Sequence, residues 1–485
     1  MTTLRWRAGH LPGPPPEGLR WHTLAFEAQG RKAEIEVPAP DAGQMRAIAG
    51  DVRAAARRHL HHRPVDSLIA TLDRAVARLL DPTDPRRRRA DDLLPVVTGF
   101  DPELVRLGLT SYLQAFRAPQ LHRFVAEDFT NPKVLDGFQP AVKGGAVRAY
   151  GPGLLAHSWA GNVPGLPLWS LACGLLVKAG SVGKLPSAEP VFASLFAQLL
   201  AEIDADLAEC LAIVWWKGGE RDPAAALYSE ADTVLAYGGH AALREVREQV
   251  PVTARFLGYG HKLGVALVGR DALDLHRGPA AARLAALDLV RYEQQGCYSP
   301  HLVYVERGGA LDPRSFAQHL GAELQALEHR HPRRVPALEE ATVIAAWRQA
   351  AEWSGAEVLG DEHGAWCVVC REGLQPLAPS AGHRCVTVCG VDTLDEVPAL
   401  LQPHAAFLQT VALATTPSEL YRLAGLLGAA GVTRITALGA MTRPEAGWHH
   451  DGRFNLADLV RVVEIESAAE RAADAIAPYA QEASR

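Results

Sequence analysis

From Val147 onward, short runs of branched and apolar residues alternate with helical stretches, and this alternation constrains the chain more than anything else in it. Val147–Tyr150 and Leu154–Ser158 read as strands. An apolar helix follows over 165–177, then a strand over Ser181–Leu185, a long helix over 188–208 and strands at 210–216, Thr233–Tyr237 and Val265–Val268. Beyond 275 the pattern continues with helix 279–295, strand 302–305, and helices 313–329 and 337–349. Strands 366–370, 385–389, 406–412, Val432–Ala437 and Leu459–Ile465 follow, with helices near 394–401 and 417–429. Strand, helix, strand order of this kind predicts a mostly parallel α/β sheet covered on both faces. The chain has 485 residues, enough for about two to four domains.

The N-terminal part has a different grammar. Residues 1–40 are irregular, with short strands at Trp21–Leu24 and Ala33–Val37. Residues 41–127 are helical, with Arg53–Leu60 and Val65–Leu80 rich in Ala, Leu and Arg and Asp66 placed to cap the second helix. The block Arg86–Arg89 reads as a solvated face rather than a polyanion site. His59, His61 and His62 do not share one helix face, which disfavours a metal site. A net charge of −6 argues against a nucleic-acid surface. No apolar segment follows a basic start, and the longest apolar run, Gly165–Val177, falls short of the ~20 residues of a spanning helix. Seven cysteines, an odd and sparse number, favour a reducing compartment. A cytoplasmic protein is expected.

Spacing discriminates among the nucleotide motifs. Gly180–Lys184 fails as a phosphate-binding loop, because Lys178 stands where the pattern needs glycine and Leu185 where it needs a hydroxyl. Gly258-Tyr-Gly260 is one residue off the dinucleotide fingerprint and reads as a tight turn. Gly238–Gly239, just after strand 233–237, is where a helix N-terminus can present amides to a phosphate. Cys367, Cys370, Cys385 and Cys389 approach zinc-ribbon spacing, but their flanks are β-branched strands in which residues i and i+3 diverge. Buried thiols are the alternative, and no metal is expected. Cys173 and Cys210 read as core. Cys297 differs: it follows Gly296 in a polar segment fixed by Pro300, and packing does not account for it.

Three segments occur in a telling order: Ser158-Trp-Ala-Gly-Asn-Val-Pro164, Leu176–Ser187 and Glu293-Gln-Gln-Gly-Cys-Tyr-Ser-Pro-His301. They resemble the aldehyde dehydrogenase superfamily, most closely the LuxC-like acyl-CoA reductases, as does the tail Gly447-Trp-His-His-Asp-Gly452. The resemblance covers roughly residues 140–466. It implies a Rossmann-type cofactor domain plus an α/β catalytic domain behind a mostly helical N-terminal region. The expected divisions are 1–130, 131–268, 269–445 and a C-terminal strand or oligomerisation segment, 446–485. The resemblance also implies that Cys297 is the nucleophile, that Asn162 helps form the oxyanion hole, and that Lys184, Ser187, Gly238 and Gly239 contact NAD or NADP. Lys178 lies close by in sequence. With Lys184 it favours NADPH, Glu189 being the counter-indication. His261 and His301 are candidates for acid–base work, the alternative for both being a structural role.

One departure matters for chemistry. Glycine stands at 258, where hydrolytic relatives carry the glutamate that activates water, and no acid occurs between Gln249 and Asp271. Glycine cannot act as a base. Reduction of a fatty acyl thioester to the aldehyde is therefore expected, from acyl-CoA or an acyl-protein. Acyl-transferase or synthetase partner subunits and a homo-oligomer built through the C-terminal strand are implied as well. The rival readings are an acyl-transfer or docking subunit, and a CoA-acylating aldehyde dehydrogenase run in the opposite direction.

Overall fold

The computed structural model describes residues 3–361 and 363–477. Two sheets organise them. In the first, Arg255–Tyr259, Thr233–Tyr237, Leu154–Ser158, Gly180–Lys184 and Leu211–Val214 lie side by side, all parallel. A parallel sheet is covered on both faces, so its strands bury continuous apolar runs. Every residue of Leu154–Ser158 and Thr233–Tyr237 is buried. Leu155 turns to the face packed by Leu171, Leu175, Phe192 and Phe196. Its neighbours Leu154 and Ala156 turn to the opposite face, against Met45, Ile48 and Val52. The apolar run read as a buried helix is Leu166–Leu176, buried at every position but the first.

The second sheet has seven strands in the order Glu357–Gly360, Cys367–Arg371, Cys385–Val391, Pro300–Glu306, Leu263–Val268, Leu408–Ala414, Arg434–Ala437. Only Glu357–Gly360 runs antiparallel to its neighbour. Helices Arg277–Val290 and Pro313–Arg330 cover one face, and Pro417–Ala429 packs on the other. Leu263–Val268, expected to close the cofactor unit, pairs instead with Pro300–Glu306 and Leu408–Ala414. The chain thus crosses between the two sheets over Gly260–Lys262 alone. A third, small antiparallel sheet joins Gln139–Pro140, Ala146–Tyr150 and Arg461–Ile465, with Arg461–Ile465 at its edge.

The strands read at Trp21–Leu24 and Ala33–Val37 extend over Arg20–Ala28 and Arg31–Ala39, and with Thr3–Arg7, which was not expected as a strand, they form their own sheet ahead of five helices. The first of those helices starts at Ala42. Asp66 does not cap Val65–Leu80; Pro64 holds that position, and Asp66, in the first turn, accepts from Lys133 at 3.0 Å. The long helix divides into Phe192–Ile203 and Ala205–Glu209, because Asp204 ends the first and accepts from the Leu207 amide of the second at 3.0 Å. Arg87 is no solvated charge. It is buried, bonded to Asp91, the Leu79 and Arg106 carbonyls and Thr110. Cys367 and Cys385 are register partners, whereas Cys370 belongs to the core on the other face. No group of metal-ligating side chains occurs among the described residues. Nor is any helix there long and apolar enough to cross a membrane.

Candidate active site

Helix Arg277–Val290 ends in a turn with an unusual backbone. Tyr292, Glu293 and Gln294 take φ values of 52°, 51° and 62°, three consecutive residues in the left-handed region. Such residues cost about 1–3 kcal/mol each and persist only where neighbours over-determine them. Here they do. The Arg384 guanidinium grips the Glu293 carboxylate at 2.8 and 2.9 Å and reaches Glu328 at 2.7 Å. Glu293 and Arg384 are both fully buried. The Gln294 amide donates to the Pro300 and Cys385 carbonyls and accepts from the Cys385 amide. From beneath, Gly264 lets the next strand approach: a Cβ there would lie 2.5 Å from the Ser299 carbonyl. The loop that follows presents Cys297.

The Cys297 thiol has a neutral hydrogen-bonding partner. Gln409 Nε2, on strand Leu408–Ala414, lies 3.5 Å from Sγ and 2.6 Å from Asp451 Oδ1. Asp451 has a φ of 55°, and its other oxygen is 3.8 Å from Lys262 Nζ. Burial pushes the Cys297 thiol up to about 11; the Gln409 hydrogen bond and the Arg434 charge pull it down, and the Asp451 charge pushes it further up. The resting group is the thiol. Neither Gln409 nor Asp451 stands out by its own residue type. A glutamine in an apolar strand gives no signal, and Asp451 is flagged only by the Trp-His-His-Asp run around it.

Cys297 lines a cleft of about 560 Å³ together with Asn162, Gly238, Gly239, His261 and His301. Asn162 sits in the turn between Leu154–Ser158 and Leu166–Leu176. Its Nδ2 donates to the Gln295 carbonyl at 2.6 Å, which orients the amide and leaves a second N–H. His301 Nδ1 is 3.2 Å from the Ser380 backbone amide. A backbone N–H only donates, so Nδ1 accepts and the proton of the neutral ring lies on Nε2. Burial lowers His301 to about 4, and burial together with the His240 charge lowers His261. The two rings are 6.2 Å apart. His450, from the tail, completes the wall; it stacks on Tyr259 at 4.4 Å, and burial lowers it to about 4. The one carboxylate among the lining residues is Glu340, held by Arg334 at 2.6 and 2.8 Å.

The cofactor candidates divide. Gly239 is the N-cap of helix His240–Gln249, whose first amides receive no side-chain cap, and a Cβ on Gly239 would meet nothing within 4 Å. Those amides and the open space fit the diphosphate of a dinucleotide. The Gly238 amide is already bonded to the Tyr259 carbonyl at 3.2 Å. Lys184 ends strand Gly180–Lys184 with its ammonium 5.5 Å over the Trp216 ring. Ser187 accepts from Trp215 Nε1 at 3.1 Å. Lys178 is not brought to this side. It precedes the strand that Lys184 ends and is bound to Asp136 at 2.7 Å. Glu189 is spent on the first turn of the next helix, accepting from the Val191 and Phe192 amides at 2.8 Å.

Comparison with known proteins bears on the fold and the family. Residues 60–462 match the acyl-CoA reductase (LuxC) family. The long-chain acyl-protein thioester reductase of Vibrio harveyi is 26% identical over 66% of this chain and 65% of its own length. That of Aliivibrio fischeri is 26% identical over 79% and 78%. Among solved structures, aldehyde dehydrogenase 21 of Physcomitrella patens superposes with a TM-score of 0.73 over 96% of this chain and 99% of its own, at 14% identity. Indole-3-acetaldehyde dehydrogenase in complex with NAD+ gives 0.71 over 95% and 96%, at 17% identity. The fold is that of the aldehyde dehydrogenases, and the chain belongs to the acyl-CoA reductase (LuxC) family.

Proposed function

We propose that this protein reduces a fatty acyl thioester to the aldehyde through an acyl group carried on Cys297, with NADPH as the reductant. The observation that carries the reading is one cleft shared by Cys297, Asn162 and the open helix N-terminus at Gly239, in a member of this family. The Cys297 sulfur gives up its proton and attacks the thioester carbonyl. Asn162 Nδ2 and the Cys297 backbone amide hold the oxyanion, and the donor thiol leaves. The nicotinamide, when bound, supplies hydride to the acyl carbon; the Gly239 end of helix His240–Gln249 and Lys184 hold the dinucleotide. His301, with its proton on Nε2, donates a hydrogen bond to the oxyanion of the thiohemiacetal on Cys297, and collapse releases the aldehyde and expels the Cys297 thiolate, which takes up a proton from solvent. His261 serves as the neutral acceptor for the thiol proton and passes it to the departing sulfur of the donor.

The product is aldehyde rather than acid because no unpaired carboxylate lines the cleft among the described residues. Gly258 lies in a strand, and Glu340 is held by Arg334. Lys184, without an ion-pair partner among the described residues, favours the additional phosphate of NADPH. The names of the relatives favour a protein-borne thioester as donor, delivered by a partner subunit, alongside acyl-CoA. A homo-oligomer built on the exposed edge strand Arg461–Ile465 fits the same reading. Intact-mass analysis tests it: tetradecanoyl-CoA adds one acyl group to the wild type and none to Cys297→Ala, and NADPH then discharges it as tetradecanal. An adduct surviving in the variant, or tetradecanoate as sole product, overturns it. NADH with a lower KM than NADPH overturns the cofactor assignment.

A further inference from the structure

A second cleft, of about 690 Å³, opens at the other end of the five-stranded sheet. Five arginines, one lysine and two histidines line it, against a single carboxylate, Asp232. In a chain of net charge −6 this is a concentration of one sign. Part of it is neutralised locally. Arg53 pairs with Asp232 at 2.9 Å, Lys178 pairs with Asp136, and Arg255 donates to the Asp458 and Val460 carbonyls. The guanidiniums of Arg57, Arg148 and Arg461 have neither an ion pair nor a hydrogen bond to the protein among the described residues.

The small antiparallel sheet arranges two of these three. Tyr150 stands opposite Arg461 across the strand pair, and Arg148 lies two residues back on the same face. Both guanidiniums rest on the Tyr150 ring, at 4.6 and 5.2 Å from its centre. The ring holds two like charges near each other, and Arg148 Nε is buried with no partner. The crowding is felt across the cleft. His61 is lowered by burial first, and then by the positive charges of His62, Arg57, Lys178 and Arg148.

The cleft is separate from the reaction. Gly153, Lys178, Asp232 and Arg255 stand at the beginnings of the strands whose far ends reach Asn162, Lys184 and Gly238. Five-residue strands put roughly 16 Å between the two ends. Guanidiniums match phosphate oxygens in bidentate geometry, and neighbouring ones suit adjacent phosphates.

We propose that this cleft binds a diphosphate-bearing small molecule through Arg57, Arg148 and Arg461. Calorimetry on the full chain, saturated with NADPH to block the Gly239 amides, uses inorganic pyrophosphate and ADP as probes. Saturable binding is expected, weakened about tenfold for each guanidinium removed in Arg57→Gln and Arg148→Gln, about a hundredfold in the double variant, and unaffected by Lys184→Gln. ADP binding more tightly than pyrophosphate assigns a nucleotide; equal affinities assign the diphosphate alone. Thermal melts check folding, and the exposed Arg461→Gln substitutes if the double variant misfolds. Binding that survives loss of these arginines, that is lost in Lys184→Gln, or that is absent at millimolar pyrophosphate overturns the proposal. Because the acyl chemistry does not enter the measurement, and the cofactor site enters only as a blocked competitor, failure here leaves the function proposed above untouched.

Discussion

The two clefts lie at opposite ends of one sheet and are built on opposite electrostatic plans. Around Cys297 the partners are amides, imidazoles and aromatic rings, and the few charges are tied to one another: Asp451 to Gln409 and Lys262, Glu340 to Arg334. Burial dominates there, keeping the thiol protonated and His301 and His450 neutral. Around Tyr150 guanidiniums crowd against a single carboxylate, Asp232. A parallel α/β sheet places its chemistry at the carboxyl ends of the strands. That is where the neutral cleft lies, so the basic end is free for recognition rather than reaction.

Breaking the neutral cleft at its centre carries the largest expected effect. Cys297→Ala should lower aldehyde formation by about 10⁴-fold or more, the range for losing a nucleophile, measured by product analysis. Next comes the support of the loop. Arg384→Gln leaves Glu293 buried and uncompensated, and should destabilise the protein by about 3–5 kcal/mol in urea melts. Asn162→Ala should slow acylation about 10²–10³-fold with the melt unchanged; a wild-type acylation rate excludes it from the oxyanion site.

Electrostatics at the sulfur can be read directly. The fold raises the Cys297 thiol to about 11, so its thiolate fraction grows with pH throughout the neutral range. Iodoacetamide labelling of the Cys297 peptide should therefore rise about tenfold from pH 7 to 8 and tenfold again to 9. With His301 lowered to about 4, no step from that ring should appear between pH 6 and 9. A plateau by pH 8 would mean that the thiol is not held up by burial. The smallest effect sharpens the contrast: Arg57→Gln with Arg148→Gln should leave aldehyde formation within about twofold.

Much of the fold is legible in the residues. Val65–Leu80, Thr233–Tyr237 and Pro417–Ala429 follow from periodicity alone, because each buries a regular face or a continuous run. Helix His240–Gln249 is anticipated only by its N-terminus at Gly238–Gly239; it buries no residue fully, so its length leaves little pattern to read. The division of 188–208 is missed because Asp204 is one polar residue within a helical pattern. Motif resemblance picks out Cys297, Asn162, His261 and His301, which the structure gathers into one cleft. Lys178 shows the limit of sequence proximity. Six positions from Lys184, it lies at the other end of the strand because an extended chain separates what a helix would juxtapose. Gln409 and the Glu293–Arg384 pair join residues about ninety or more positions apart, which no local pattern encodes.

Asp451, which steadies the glutamine beside the sulfur, lies ten residues before the outermost strand Arg461–Ile465. That strand has one free edge, and ten residues of chain separate it from the carboxylate that sets Gln409. The outer rim of the small sheet and the setting of the sulfur thus hang on one short stretch of polypeptide.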